Sequence, residues 1–322
     1  MKMTFRWYGE NDKIPLKYIS QIPGINGVVT SLIDTPVGKV WDMKELIKLK
    51  EQVNLYNLNL EVIESVNVHE DIKLGLSSRD EYINNYKQTL INLSKIGIKT
   101  VCYNFMPIFD WTRTDLNMPL KDSSKVLSFD YKQLKDLSAK ELVEKIRNES
   151  SDIDIPGWEV ERLDEIESLF EKYKNIDENI LWNNLQYFLE QIIPVAENCN
   201  IKMALHPDDP PFSIFGLPRI MTNKKNLQKL IDLVPSSSNG LALCSGSLGP
   251  NKDNDIPSMI RDFGAQGRLH FGHIRNIKRV TEKSFHESSH LSEDGSLDMY
   301  EIVKAYSDIG FNGHIRPDHG RM

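Results

Sequence analysis

Short runs of hydrophobic residues alternate with longer amphipathic segments along most of this chain. We predict a β-strand at each short run, because the runs are brief, largely apolar and bounded by polar or turn residues. The predicted strands are MTFRWY (3–8), GVVTSL (27–32), LEVIES (60–65), KTVCYNF (99–105), IKMALH (201–206), LALCS (241–245), RLHFGH (268–273) and GHIRPD (313–318).

The segments between these runs have the apolar spacing of amphipathic helices. Two of them end at glycines, Gly97 and Gly310, and the next predicted strand follows each glycine. This strand–helix alternation is typical of a parallel sheet covered by helices. We therefore predict an α/β fold of the (β/α)8 TIM-barrel class. An open doubly wound sheet is the alternative, although no GxGxxG motif follows the first strand.

The regular spacing breaks once, between the fourth and fifth predicted strands. Residues 106–176 contain the loop FDWTRTDLNMPL and charged helical segments such as KQLKDLSAKELVEKIRNES. We predict a helical insertion here, at a position where barrel enzymes carry functional loops. Residues 1–322 would then form a single TIM-barrel domain, with this insertion after strand four.

Composition narrows the class of protein. A formal net charge of −7 argues against a nucleic-acid partner or an anionic membrane surface. No apolar run approaches the length of a membrane span. Three cysteines are an odd and sparse set for a disulfide framework, so we expect reduced thiols and a cytoplasmic protein.

One stretch suggests chemistry. In MALHPDDPP (203–211) a predicted strand stops abruptly at His206 and prolines prevent it from continuing. The next predicted strands end at Cys244, His273 and Asp318. The C-terminal strand ends of a parallel barrel converge on one face, so these residues would meet there. Imidazole, thiolate and carboxylate donors together suit a divalent metal, and we predict that the four bind one ion.

Taken singly, each predicted ligand has a simpler explanation. The histidines could belong to the core, the cysteine could be a small buried hydrophobic residue, and the aspartate could cap the following segment. Four such residues at successive strand ends favour the metal site. The thiolate by itself suggests zinc or ferrous iron, because Mn²⁺ is the weakest binder of the divalent series.

The seventh predicted strand offers two histidines. Side chains alternate along a strand, so Leu269, Phe271 and His273 would share one face while His270 takes the other. We predict that His273 is the ligand, at the rim above two apolar layers. A bulge at Gly272 would reverse this choice.

Other polar residues are expected at the same face. Arg6 ends the first strand, Asn104 ends the fourth, and Arg275 follows the seventh. Arg113 lies in the insertion, and His290 lies in a polar loop before the last helix. We predict that these five residues bind substrate, because a guanidinium fork can hold both oxygens of a carboxylate. A structural salt bridge is the alternative for each arginine.

These motifs resemble those of the mannonate dehydratase family, over essentially the whole sequence. The resemblance rests on FRWYG, YNFMPIFDWTRTDL, MALHPDDPP, CSGSLG, HFGHIRN, FHESSHLS and IRPDHGRM. It implies a xylose-isomerase-like barrel, a divalent cofactor (Mn²⁺, with Fe²⁺ as second choice) and dehydration of D-mannonate to 2-dehydro-3-deoxy-D-gluconate in hexuronate catabolism. The family's metal ligands correspond to His206, Cys244, His273 and Asp318, and its catalytic histidine corresponds to His319.

Two other functions stay open at this point. One is a metal-dependent sugar isomerase or epimerase on the same barrel. The other is a non-catalytic metal- or sugar-binding homologue, since the resemblance implies a catalytic tyrosine in a C-terminal segment beyond Met322. We expect a sugar acid as the small-molecule partner, neither nucleic acid nor membrane as a partner, and a homo-oligomer in the form of a dimer.

Overall fold

The computed structural model describes residues 1–139, 141, 144 and 166–322. Eight of the strands in this part are parallel and close into a barrel. The strands are Lys2–Arg6 (β1), Ile25–Thr30 (β2), Asn59–Glu64 (β3), Thr100–Tyr103 (β4), Asp115–Pro119 (β5), Lys125–Asp130 (β6), Lys202–Leu205 (β7), Asn239–Cys244 (β8), Leu269–Ile274 (β9), Ile277–Thr281 (β10), Ser284–Glu287 (β11) and His314–Pro317 (β12). Around the barrel the order is β1-β12-β9-β8-β7-β4-β3-β2, which confirms the predicted class.

Helices follow most of the barrel strands. They are Leu16–Ile19 (α1), Met43–Asn54 (α2), Glu70–Leu74 (α3), Arg79–Lys95 (α4), Tyr131–Asp136 (α5), Ile166–Tyr173 (α6), Glu178–Asn198 (α7), Lys224–Leu233 (α8), Ser245–Leu248 (α9), Ile256–Ala265 (α10) and Met299–Asp308 (α11). Helices α2, α7, α8, α10 and α11 each follow an Asp or Asn whose side chain accepts a hydrogen bond from a first-turn N–H. Within the described residues, no helix combines the length and the apolar content needed to cross a membrane.

The hydrophobic core has two parts. The larger part lies between the barrel and its helices, and a smaller cluster takes one fully buried residue from each of six neighbouring strands. The smaller cluster consists of Val29, Val62, Cys102, Ala204, Ala242 and Phe271. Because these side chains come from adjacent strands but stand apart from the larger core, they fill the inside of the barrel. The ring of His273 lies next to Phe271, with their centroids 4.7 Å apart, so His273 stands directly above this packed interior.

A second sheet is built from two distant segments. Strands β5 and β6 form an antiparallel hairpin after β4, β10 and β11 form another after β9, and the four pair in the order β10-β11-β6-β5. The sequence pattern predicted neither hairpin: it gave a loop and helical segments within 106–176, and a polar loop around His290. Helices α5 and α6 do lie in the insertion, but much of the predicted helical segment KQLKDLSAKELVEKIRNES lies outside the described residues.

This second sheet lies at the C-terminal ends of the barrel strands. Its hairpins follow the C-terminal ends of β4 and β9, and Thr112 at the start of the insertion donates its main-chain N–H to the carbonyl of Asp209 (3.2 Å). The segment after β12 reaches the sheet as well, because the main chains of Lys125 and Met322 exchange two hydrogen bonds of 3.0 and 2.9 Å. The residues that follow β12 are therefore fixed at both ends, between the barrel and the sheet.

Candidate metal centre

Three potential metal ligands meet at the C-terminal face of the barrel. His206 follows β7, Cys244 is the last residue of β8, and His273 lies near the end of β9. One ligand atom from each lies within 4.8 Å of the other two, and the two imidazole centroids are 4.9 Å apart. The sequence brings them together because β7, β8 and β9 are neighbours and Cys244 is in register with His273.

The fourth predicted ligand, Asp318, directly follows β12. Its Oδ2 lies 3.6 Å from Cys244 Sγ and 3.9 Å from His273 Nδ1. Arg316 holds the carboxylate from the other side, with Nη1 donating to Oδ1 over 2.8 Å. The structure therefore places Asp318 beside two of the three other predicted ligands.

The hydrogen bonds of the two imidazoles show which nitrogens are available. His206 Nδ1 lies 2.7 Å from the carbonyl oxygen of Pro207, so Nδ1 carries the proton and Nε2 is left as an acceptor. His273 is 1% exposed, and its Nδ1 has no hydrogen-bond partner among the described residues; its Nε2 lies 3.3 Å from Glu64 Oε1 but outside hydrogen-bond geometry. Buried polar atoms are rarely left without a partner, so this donor set fits a bound divalent cation.

Burial sets the protonation states of these side chains. It lowers the pKa of His273 to about 3 and also lowers the pKa of His206, so both imidazoles are neutral at pH 7. It raises the pKa of the Cys244 thiol to about 12, helped by the neighbouring Asp318 carboxylate. Burial opposes ionisation of Asp318 too, but the charge of Arg316 outweighs it and holds that pKa well below the usual range.

The other histidine of β9 is directed elsewhere. His270 Nδ1 lies 2.8 Å from the carbonyl oxygen of Met203, and a side chain at Gly240 would collide with its ring. The strand-face argument holds for Phe271, next to His273, but fails for Leu269, which packs in the larger core. Leu269 departs from the predicted face because the register between β8 and β9 shifts just before Phe271.

The arginines predicted in the insertion and after strand seven are buried and paired with protein carboxylates. Arg113 donates to both oxygens of Asp209 (2.8 and 3.1 Å) and to Oε1 of Glu287 (2.8 Å). Arg275 donates to Asp209 Oδ2 and to both oxygens of Glu287, each over 2.8 Å. We call these four residues the arginine–carboxylate network. The guanidinium forks point at the chain's own carboxylates, and substrate binding by Arg113 and Arg275 stays a prediction.

The network touches the candidate metal centre through Ser247 and through Arg275, whose Nη1 also lies 3.6 Å from Asp318 Oδ2. Ser247 Oγ lies 3.1 Å from Cys244 Sγ and 3.0 Å from Asp209 Oδ2. Arg275 Nη1 is 3.9 Å from the same sulfur, and a Cβ at Gly246 would collide with the Arg275 side chain. The motif CSGSLG thus supplies a predicted ligand, a linking hydroxyl and the space that the arginine needs.

The remaining predicted substrate residues are distributed around the barrel mouth. Arg6 is partly buried, and its single hydrogen bond within the described residues goes to the main-chain oxygen of Glu64. Asn104 is buried and accepts from the main-chain N–H two residues further on (3.1 Å). His290 Nε2 is hydrogen-bonded to the carbonyl oxygen of Ile274 (3.0 Å). Their contact with substrate stays a prediction.

His319 lies at the edge of the candidate centre. Its Nε2 is 3.4 Å from Asp318 Oδ1, and its ring is 5.5 Å from the indole of Trp111 on the insertion. The side chain keeps 27% of its surface exposed. The surrounding atoms nevertheless lower its pKa through burial, although the Asp318 carboxylate acts in the opposite direction.

Sequence reasoning missed Glu64, the last residue of β3. Its Oε1 lies 3.3 Å from His273 Nε2, and Arg316 forms a two-point ion pair with it (2.8 and 2.9 Å). Burial would raise the pKa of Glu64, but the charge of Arg316, with a smaller contribution from that of Arg6, outweighs it and the pKa is lowered to about 2. The sequence did contain a signal for Glu64. The predicted strand LEVIES has a carboxylate at its C-terminal end, just as other predicted strands have their candidate ligands there.

Comparison with known proteins shows independently which family this chain belongs to. The family model for D-mannonate dehydratase (UxuA) matches residues 1–322. The mannonate dehydratase of Thermotoga neapolitana is 56% identical over 323 residues, covering 100% of this chain and 90% of the relative. That of Geobacillus thermodenitrificans is also 56% identical over 323 residues, covering 100% of this chain and 87% of the relative.

Solved structures are similar as well. The crystal structure of mannonate dehydratase from Streptococcus suis serotype 2 has a TM-score of 0.88 at 42% identity, covering 100% of this chain and 86% of that chain. A D-psicose 3-epimerase from Clostridium cellulolyticum H10 has a TM-score of 0.59 at 15% identity, covering 99% of this chain and 85% of that chain. The second likeness concerns the fold alone.

Proposed function

This chain belongs to the D-mannonate dehydratase family, and we propose that His206, Cys244, His273 and Asp318 hold the divalent metal ion of its active site. The chain catalyses dehydration of D-mannonate to 2-dehydro-3-deoxy-D-gluconate. The observation that carries the metal centre is the buried imidazole of His273, beside a thiol and a second imidazole. We propose Mn²⁺ as the ion, with Fe²⁺ as second choice; the donor set accepts either.

The reaction removes the C2 proton of the sugar acid and expels the C3 hydroxyl. The C2 proton is poorly acidic because the negative charge forms next to a carboxylate, and hydroxide is a poor leaving group. A bound divalent cation supplies Lewis-acid stabilisation of negative charge on the substrate oxygens. The chain must then supply groups that hold the carboxylate and exchange the protons.

We propose His319 as one of the proton-exchanging groups. Its lowered pKa keeps the imidazole neutral at pH 7, so Nε2 or Nδ1 is able to accept a proton. Asp318 adjoins it and the insertion's Trp111 faces its ring, which together orient the imidazole at the edge of the centre.

The predicted substrate-binding arginines fall into two groups, according to whether protein carboxylates already occupy their guanidinium groups. Arg6 is partly buried at the mouth and has one protein acceptor among the described residues, so it is our first candidate for the substrate carboxylate. Arg113 and Arg275 would act behind the substrate, by fixing Asp209 and Glu287. Asn104 and His290 remain candidates for the substrate hydroxyls. The cytoplasmic location and the dimeric state stay predictions.

The isomerase or epimerase alternative has only the shared barrel in its favour, because the epimerase likeness is at 15% identity. An assay of D-mannonate with Mn²⁺ separates the two reactions, since dehydration yields a 2-keto acid with loss of water and isomerisation retains every atom.

His319→Asn tests the proton-exchanging role. We expect near-normal metal content with turnover lowered by roughly 10²-fold or more, the usual effect of losing a general acid or base. The matched control is His69→Asn, because His69 caps α3 with its side chain and asparagine is also a good cap. Loss of metal in proportion to loss of turnover would instead assign His319 to support of the metal centre.

A further inference from the structure

The imidazole of His273 lies between two carboxylates that approach different ring nitrogens. Glu64 Oε1 is 3.3 Å from Nε2, whereas Asp318 Oδ2 is 3.9 Å from Nδ1. Asp318 also approaches Cys244 Sγ (3.6 Å), so the Nδ1 side of the ring faces the proposed ligands. The Nε2 side faces Glu64, which belongs to the other half of the barrel.

A neutral imidazole carries one proton, and a metal can bind only the nitrogen without it. Histidine ligands therefore usually donate the remaining N–H to a carboxylate or carbonyl oxygen, which fixes the tautomer and the ring orientation. We infer that Glu64 is a positioning residue that accepts the Nε2–H of His273 and leaves Nδ1 free to bind the metal ion. This inference rests on the proposed metal centre and adds a residue to it.

Arg316 makes Glu64 suitable for this role. The guanidinium of Arg316 pairs with both oxygens of Glu64 (2.8 and 2.9 Å) and with Oδ1 of Asp318 (2.8 Å). One cation thus orients the two carboxylates that flank the His273 ring, and Arg316 is in register with His273 across β12 and β9. An ionised, immobile carboxylate is a strong acceptor for an imidazole N–H.

The two histidines would then bind the ion through different nitrogens. His206 gives its Nδ1–H to the carbonyl oxygen of Pro207 (2.7 Å), which leaves Nε2 for the metal. His273 gives its Nε2–H to Glu64, which leaves Nδ1. A structural role for Glu64, limited to its ion pair with Arg316, predicts no preference between the two His273 tautomers.

The tautomers can be read directly from the unmodified protein. Histidine labelled with ¹⁵N is incorporated, the protein is loaded with diamagnetic Zn²⁺, and long-range ¹H–¹⁵N correlation spectra show which nitrogen of each ring is protonated. Signals are assigned by their loss in His273→Gln and His206→Gln. We expect His273 protonated at Nε2 and His206 protonated at Nδ1. A His273 ring protonated at Nδ1 would overturn the inference.

Metal affinity gives a second readout. Glu64→Gln keeps the size of the side chain but loses the charge, and we expect Co²⁺ to bind 10- to 100-fold more weakly, the usual scale for such a partner, with shifted Co²⁺ absorption bands. The matched control is Glu61→Gln on the same strand, because Glu61 pairs with His314 and Lys2 at the opposite end of the barrel. We expect that control to bind Co²⁺ like the unmodified protein.

The outcomes separate this inference from the proposed metal centre. A folded Glu64→Gln protein with unchanged Co²⁺ affinity and spectrum would contradict the role of Glu64 alone. Failure of the unmodified protein to show a thiolate-to-Co²⁺ band that disappears in Cys244→Ser would contradict the centre itself. If Glu64→Gln does not fold, the His273 tautomer in the unmodified protein decides the question in either direction.

Discussion

Two buried polar clusters lie side by side at the mouth of this barrel, and they differ in one respect. In the arginine–carboxylate network every charge meets an opposite charge within the chain, at side-chain exposures of 0–3%. In the ligand cluster of His206, Cys244 and His273, the cysteine and His273 are equally enclosed and His206 is partly buried, but Nδ1 of His273 has no hydrogen-bond partner among the described residues.

The difference separates groups that stabilise the fold from groups that we propose bind a metal ion. A buried charge is tolerated when it is paired and hydrogen-bonded, and the network meets that condition without help. A buried donor or acceptor without a partner costs free energy, and the ligand cluster avoids this cost only when something binds. Polarity and burial alone therefore do not identify a binding site; unmet hydrogen-bonding capacity among clustered potential metal ligands is the more specific sign.

The sharpest test of this comparison is Arg113→Met. It leaves Asp209 and Glu287 short of a cation, and breaking a buried pair from one side costs about 3–5 kcal/mol of the free energy of unfolding. Urea unfolding of the metal-free protein measures the loss. Metal affinity should change little, because Arg113 makes its hydrogen bonds to the network and its own loop rather than to the ligands.

Arg261→Met is the matched control, because Arg261 pairs with Glu301 and Asp308 on the surface. An exposed pair is worth at most about 1 kcal/mol. Equal destabilisation by the two substitutions would show that the network is not the stabilising element we describe.

Metal binding to the other cluster should depend steeply on pH. The Cys244 thiol, with its pKa raised to about 12, is protonated in the metal-free protein at pH 7 and must lose that proton to become a ligand. The pKa of His273, lowered to about 3, keeps that ring unprotonated at pH 7, and His206 is likewise neutral. Affinity should therefore fall about tenfold for each unit of pH decrease near pH 7.

Calorimetry in buffers of different ionisation enthalpy counts the protons released, and we expect one per metal ion. In Cys244→Ser the release should vanish together with most of the affinity. Release of two protons, or of none, would contradict the protonation states assigned to the ligand cluster.

The smallest expected effect concerns Ser247, which adjoins both clusters. Its hydroxyl has one proton, and when Cys244 becomes a thiolate that proton is best donated to sulfur, because Asp209 keeps its hydrogen bonds from Arg113 and Arg275. Ser247→Ala should weaken metal binding by roughly fivefold, equivalent to a hydrogen bond of about 1 kcal/mol.

Stability of the metal-free Ser247→Ala protein should change much less than that of Arg113→Met. Ser78→Ala removes a similar serine–carboxylate hydrogen bond, to Asp71, far along the chain from the ligands, and should leave metal affinity unchanged. Equal affinities for the two alanine variants would exclude a contribution of Ser247 to the thiolate.

The barrel could be predicted because its strands are short apolar runs separated by helices. That His206, Cys244, His273 and Asp318 lie close together could be predicted from their positions at strand ends, since parallel strands bring their C-terminal ends together. That they bind a metal ion stays a prediction. Strand β11 could not be predicted in this way. It pairs with β6 from a remote part of the chain, and its short, largely polar sequence carries no apolar alternation of its own.

The arginines show a different limit of sequence reasoning. A guanidinium predicts a carboxylate partner, but the residue type does not say whether that partner is the substrate or the protein. Both partners are protein residues. Arg113 pairs with Asp209, which is 96 positions along the chain, and Arg275 pairs with Glu287, which is 12 positions along the chain. Leu269 shows a local limit, because a single shift in register moved it away from the face of Phe271.

Closure of the barrel has a consequence for the order of folding. β12 pairs with β1 and β9, and the Thr4 hydroxyl donates to the carbonyl oxygen of Ile315, 311 positions along the chain. Contacts over such separations form slowly, because the intervening chain must lose its freedom before they are gained. Asp318 directly follows β12, so the fourth proposed ligand reaches its place only when the ring of strands is complete. A cation that needs all four ligands should therefore slow unfolding of the finished barrel far more than it speeds the early steps of refolding.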